Sequence, residues 1–180
     1  MKHTILTLLS ILVNTQSISA DTHVYFSPKG GCEHQVTALL DATKTYADIA
    51  MYSLNNSAIL EALHRAKSRG VKIRVLLDRI QAGGNTNRVV TLALKSEGFD
   101  IRVHSKNKIQ HNKFGVFDDM RVITGSFNWT NPAENSNEEN CLVIDDTTVV
   151  KSFEERFSKH LWVVNTEQRS LKSIEKLKQR

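Results

Sequence analysis

The rhythm of the chain changes once, near Asp100, and that change narrows the folds open to it. Before it, extended and helical patches alternate. Thr22–Phe26 reads as a strand, Val36, Leu39 and Leu40 after Glu33 fall at helical spacing, and Ala47–Leu54 reads as a second strand. Asn55, Asn56 and Ser57 offer cap oxygens to a helix carrying Ile59, Leu60, Leu63 and Ala66, which Gly70 ends. Val71–Leu77 reads as a strand that begins half exposed and ends buried. Asp78 closes it, Gln81–Asn87 has the composition of a loop, and a shorter helix spans Arg88–Glu97. After Asp100 strands follow one another closely: Ile101–His104, His111–Phe117, Arg121–Phe127 and Asn140–Ile144, with Asp118-Asp119 as a tight turn. Val150, Phe153, Phe157 and Leu161 then mark a last amphipathic helix. This order predicts a layered α/β (α+β) arrangement. At 180 residues and 40% hydrophobic composition, the chain supports one core and one domain.

The two ends read differently from this middle. Lys2 and His3 precede an apolar run, Ile5–Val13, then polar Asn14–Ser17 and small Ser19 and Ala20, the layout of a secretory leader over residues 1–20. The run is about half of the roughly 20 residues that cross a bilayer, so no stable membrane span is expected, and a leader retained as an anchor stays open beside a cleaved one. An exported protein, periplasmic or secreted, follows as an expectation, with the domain at 21–165 and a polar tail at 166–180. Lys2 is the only formal charge before Asp21, so losing the leader takes the net charge from +5 to +4. That balance admits polyanionic partners without demanding them. Cys32 and Cys141 do not have zinc-site spacing; one disulfide and two separate buried thiols both remain open.

Chemistry concentrates in one stretch, His111-Asn112-Lys113-Phe114-Gly115-Val116-Phe117-Asp118, followed by Gly125-Ser126-Phe127-Asn128-Trp129-Thr130 and Glu139-Asn140. Two positions apart in an extended strand, His111 and Lys113 project from one face, so an imidazole and an ammonium share a pocket. Ser126 and Asn128 repeat that spacing and add a hydroxyl and an amide able to bond phosphate oxygens. Four polar groups at the ends of otherwise apolar strands are costly to bury without a ligand. Asp118 sits at an odd offset and at a turn, which places it off the shared face. His23, His34, His64, His104 and His160 are scattered without a ligand pattern, and Trp129 reads either as a stacking platform for a base or as packing. Arg79 and the stretch Lys106 to Lys108 read as a polyanion groove or a solvated loop.

These motifs resemble the phospholipase D superfamily, whose signature is His-x-Lys-x-x-x-x-Asp followed by Gly-Ser-x-Asn. The likeness runs from Phe26-Ser27-Pro28 through Arg69-Gly70-Val71 to Glu139-Asn140, and is greatest to the small bacterial endonucleases of the superfamily, which carry one motif per chain. The resemblance implies a mixed sheet flanked by helices on both faces. It implies His111 as nucleophile, Lys113 and Asn128 on the non-bridging oxygens, Ser126 supporting the phosphate pocket, Glu139 orienting His111, and Asp118 in support. The acid is a second imidazole, which a single-motif chain obtains from another copy, so a homodimer with the site on its two-fold axis is expected. No metal or cofactor is expected.

Three functions compete at this point. The first is a low-specificity, metal-independent endonuclease acting on DNA or RNA through a phosphohistidine. The second is a phospholipase D releasing head groups from phospholipid, which the same residues serve; no long apolar docking loop stands near His111 or Asn128. The third, a non-catalytic nucleic-acid-binding module, does not require the set His111, Lys113, Asn128 and Glu139.

Overall fold

The computed structural model describes residues 20–105 and 108–163. Nearly all of the expected leader, the tail at 166–180 and Lys106 lie outside the described residues. Strands β1 (Thr22–Ser27), β2 (Tyr46–Met51), β3 (Lys72–Leu77), β4 (Asp100–Val103), β5 (Lys113–Phe117), β6 (Arg121–Gly125) and β7 (Glu139–Ile144) form one mixed sheet in the order β1-β7-β6-β5-β2-β3-β4. The change of rhythm begins at β4, the last of the parallel strands, and strand direction reverses after it. β2, β3 and β4 are parallel, because helices α2 (Ser57–Ser68), α3 (Arg79–Gly83) and α4 (Asn85–Ser96) return the chain between them. The later strands pair antiparallel: β5 with β2, β6 with β5, β7 with β6, and β1 with β7.

Helices cover both faces, as the resemblance implies. On one face α1 (Cys32–Ala42), α2 and α4 bring Val36, Leu40, Ile59, Leu63 and Leu94 against Ile49, Met51, Val75, Leu77 and Ile123. On the other, α6 (Thr147–Glu155) and the wider turns that continue it over Arg156–Trp162 lay Val150, Phe157, Leu161 and Trp162 on Ala50, Leu76, Phe114, Val116 and Val122. Each fully buried aliphatic or aromatic side chain contributes about 1.5–3 kcal/mol, so both layers are needed to hold a sheet with two apolar faces. Within the second face Asp48 is fully buried, and it is held by the Arg74 guanidinium, with Arg74 Nε donating at 2.6 Å. The cysteines pair: Cys32, first in α1, is bonded to Cys141 in β7, with their Cα atoms 5.9 Å apart. That decides between the bridge and the separate thiols.

Three segments depart from the sequence reading, each for a local reason. The expected loop at Gln81–Asn87 is helical on both sides of an extended Gly84. Asp78, read only as a strand end, caps α3 by accepting from the amides of Ile80 and Gln81. A short α5 (Asn131–Asn135) follows Asn128, capped by Thr130, whose hydroxyl accepts from the Ala133 amide, with Pro132 in its first turn. The strands expected at His111–Phe117 and Arg121–Phe127 are shorter, so His111 precedes β5 while Ser126 and Asn128 follow β6. Gly125 ends β6 because its φ is +153° and a Cβ there would meet the Asn140 carbonyl oxygen at 2.3 Å.

Candidate active site

The site lies where β5 begins, beside the end of β2 in the antiparallel register Met51↔Lys113. His111 is solvent-exposed while Lys113 is only 8% exposed, so the chain dives into the sheet between them. The turn is held by Gln110, itself buried. Its backbone N–H donates to Asp78 Oδ2 at 3.0 Å, and its Oε1 accepts from Asn112 N at 2.7 Å and Asn112 Nδ2 at 2.8 Å. His111 is thus gripped from both chain neighbours while its ring faces out.

The expected pairing of imidazole and ammonium is present. Lys113 Nζ lies 3.3 Å from both His111 ring nitrogens and donates to the His111 carbonyl at 3.0 Å. Equal distances to both nitrogens put the ammonium over the imidazole and not at one nitrogen's edge. Burial lowers the Lys113 pKa below the ordinary lysine value, and the Glu139 carboxylate opposes that shift. Glu139 therefore belongs to the same electrostatic neighbourhood. Its own hydrogen bond comes from Asn137 Nδ2 at 3.1 Å.

The other expected residues are placed by the loop after β6. Ser126 is exposed and its Oγ accepts from the Asn140 amide at 3.1 Å, which ties this loop to β7. Asn128 is half-buried, and its Oδ1 lacks a hydrogen-bond partner among the described residues. Trp129 is 2% exposed and packs, leaving no face for a base. It fits because Gly115 has no side chain: a Cβ there would stand 3.2 Å from the indole. The Trp129 carbonyl accepts from the amides of Asn55 and Asn56, joining this loop to the one after β2.

Asp118 is not part of this group. It follows the far end of β5, five residues or about 16 Å along the strand from Lys113. Its carboxylate accepts from the backbone amides of Lys44, Thr45 and Tyr46 at 2.7, 2.9 and 2.9 Å, and from the Thr45 hydroxyl. Desolvation pushes its pKa up, but these bonds outweigh it and the net shift is downward. Asp118 and Asp119 both have positive φ, 54° and 56°, which makes the pair a turn. Asp118 binds the β5–β6 turn to the α1–β2 connection.

Tyr52 contacts His111, and Asp78, Gln81 and Gln110 hold the segments around the pair; none of them reads as a site residue from the sequence. The Tyr52 ring meets the His111 ring edge-on, with centroids 4.5 Å apart, and Gln81 Nε2 donates to the Tyr52 hydroxyl at 3.0 Å. Only the pairing of β2 with β5 brings Tyr52 close, one step beyond Met51↔Lys113. No spacing within the sequence marks it. Among the described residues no group of three or more His, Cys, Asp or Glu converges as metal ligands. Chemically, the arrangement joins an exposed, reachable imidazole to a buried cation, which suits attack on an electrophile carrying negative oxygens.

Comparison with known proteins places this geometry in a family. The family described as cardiolipin synthase, PLD-like domain, matches residues 36–162. A protein named phospholipase D from Rickettsia prowazekii is 31% identical over 145 residues, 78% of this chain and 70% of that protein. A mitochondrial cardiolipin hydrolase from Xenopus tropicalis is 31% identical over 115 residues, 64% of this chain, which spans about half (53%) of that relative. The crystal structure of Nuc, a phospholipase D family member from Salmonella typhimurium, superposes with a TM-score of 0.74 at 32% identity, covering 78% of this chain and 93% of Nuc. The chain therefore belongs to the phospholipase D superfamily and is a phosphodiesterase of that class.

Proposed function

We propose that the chain is a low-specificity endonuclease that cleaves phosphodiester bonds of DNA or RNA through a phosphohistidine at His111. One observation carries the reading: an exposed imidazole against a buried ammonium, in a chain that matches Nuc over 93% of Nuc's length and holds one His-x-Lys-x-x-x-x-Asp motif. In the first step a neutral His111 nitrogen attacks phosphorus. The P–N bond forms as the P–O bond to the leaving group breaks. Lys113 and Asn128 meet the charge on the non-bridging oxygens. The leaving oxygen takes its proton from a second imidazole, His111 of another copy across a two-fold axis, so the working unit is a homodimer. That imidazole, now neutral, removes a proton from water. The water attacks phosphorus, the P–N bond breaks, and both histidines return to their starting states.

In this scheme Glu139 supports the ammonium and orients His111, and Ser126 steadies the phosphate loop. The chemistry routes no step through a metal. We also propose export: a leader at residues 1–20 accords with the Cys32–Cys141 bridge, a bond that persists in oxidising compartments.

A second reading, hydrolysis of phospholipid head groups, is favoured by the names of relatives, phospholipase D and cardiolipin hydrolase. The test mixes the purified protein, in excess chelator, with plasmid, single-stranded DNA, RNA and phospholipid vesicles containing cardiolipin. Nicked or shortened nucleic acid, lost in His111→Ala with binding retained, supports the nuclease. Intact nucleic acid beside hydrolysed lipid transfers the assignment to the second reading, and full turnover by His111→Ala removes the mechanism.

A further inference from the structure

The contacts around His111 close into a ring. Buried Asp78 accepts from the Gln110 amide through Oδ2 and from the Ile80 and Gln81 amides through Oδ1. Gln81 reaches from that capped turn to donate to the Tyr52 hydroxyl, and the Tyr52 ring returns edge-on to His111, the residue after Gln110. The same ring lies under the Lys113 ammonium, with Nζ 5.0 Å from its centroid. One aromatic side chain thus touches both groups that the reaction uses, and one carboxylate holds both segments that position it.

From this geometry we infer that Tyr52 is a positioning residue for the phosphodiesterase reaction, its ring setting the imidazole's orientation while its π face holds the ammonium. The inference rests on the reading of His111 as nucleophile. Two physical effects follow from one contact. An edge-on ring restricts rotation of an exposed imidazole that would otherwise sample several rotamers, which raises the fraction poised to attack. A cation over a π face is favoured over a neutral amine there, so the ring helps keep Lys113 charged where burial disfavours the charge. The hydroxyl serves only to anchor the ring through Gln81.

The ring and the hydroxyl can be separated by substitution. Tyr52→Phe keeps the ring and loses the anchor; Tyr52→Leu removes the ring; Tyr52→Met fills similar volume without a π face and carries the test if the leucine variant unfolds. Turnover of bis(p-nitrophenyl) phosphate is followed against pH, with melting curves as the folding control and NMR of the His111 ring protons as the geometric readout. The expected result for Tyr52→Phe is a loss of about two- to fivefold. Tyr52→Leu or Tyr52→Met should lose on the order of 50-fold, mainly in kcat, as expected for misplaced reacting groups. Their alkaline limb should move to lower pH, and the ring-current shift of the His111 protons should vanish.

A folded Tyr52→Leu or Tyr52→Met with the wild-type kcat and alkaline limb would overturn the inference. So would Tyr52→Phe losing as much as Tyr52→Leu, which would place the effect in the hydroxyl. His111→Ala in the same assay keeps the two readings apart. If it turns over normally, the nucleophile assignment fails. If it is inactive while the ringless variants are unimpaired, only the role of Tyr52 fails.

Discussion

The Lys113 ammonium sits 3.3 Å from both nitrogens of the His111 imidazole. The cation faces the ring and donates to the His111 carbonyl, contacts for which phosphate oxygens compete in the proposed reaction. Burial has already lowered its pKa, and Glu139 is the charge that limits the fall. In the proposed reaction this predicts an alkaline limit set by Lys113 and opposed by Glu139.

Replacing Glu139 by Gln tests that balance. The carboxylate favours the protonated amine, so removing it lets desolvation act unopposed and the ammonium loses its proton at lower pH. The alkaline limb of kcat/KM should move down in Glu139→Gln. Lys113→Met should lose about 100- to 1000-fold in kcat at every pH, the usual scale for removing a charge-stabilising donor. A pH–rate profile of both variants decides it, and an unmoved limb in Glu139→Gln removes Glu139 from this role.

Asp118 carries the family motif's acid but binds backbone. Asp118→Asn should lower stability by about 1–3 kcal/mol, since at least one of its four acceptor contacts is lost and donors are left unpaired. Its folded pKa is depressed, so the stabilisation is present above the unfolded carboxyl pKa and disappears as pH falls through the folded value. Urea melts should show the wild-type advantage at neutral pH and its loss in acid. Equal midpoints at neutral pH would refute the structural role.

On the opposite face of the sheet Glu154 behaves in the contrary sense. Desolvation, then the charge of buried Asp48, raise its pKa from 4.5 to about 7, against the pull of Arg74. A raised carboxyl pKa means that the folded state binds the proton more tightly. Its contribution is therefore full below the unfolded pKa and is lost as pH rises through about 7. Glu154→Gln should raise the melting temperature at about pH 8 by the equivalent of 1–2 kcal/mol, with the difference shrinking toward about pH 5. A variant no more stable than wild type at the higher pH would contradict this.

The Cys32–Cys141 bridge spans a sequence separation of 109 and joins α1 to β7. Closing so long a loop restricts the unfolded chain, and reduction or the double serine variant should cost about 2–4 kcal/mol. For a domain of this size that is a fall of roughly 4–16 °C in Tm. Thermal melts with and without reductant measure it; coincident curves would show that the bridge adds nothing to the folded state's advantage.

Much of the protein is legible in one dimension because short-range rules govern it. Periodicity placed the apolar strands and the helices of the α/β order, the cap at Asn56 followed from side-chain chemistry, and His-x-Lys spacing brought His111 and Lys113 together. Trp129 packing against Gly115 and the end of β6 at Gly125 against Asn140 were decided by neighbours distant in sequence, whereas α3 is set locally by the Asp78 cap, which loop composition masked. Tyr52 reaches His111, Asp118 leaves it, and the two cysteines meet only once β2, β5 and β7 are laid side by side. Spacing along a chain specifies which face a residue takes within its own element. Which residues share a site depends on how strands pair, and that is determined by the packing of the whole sheet between its two helical layers.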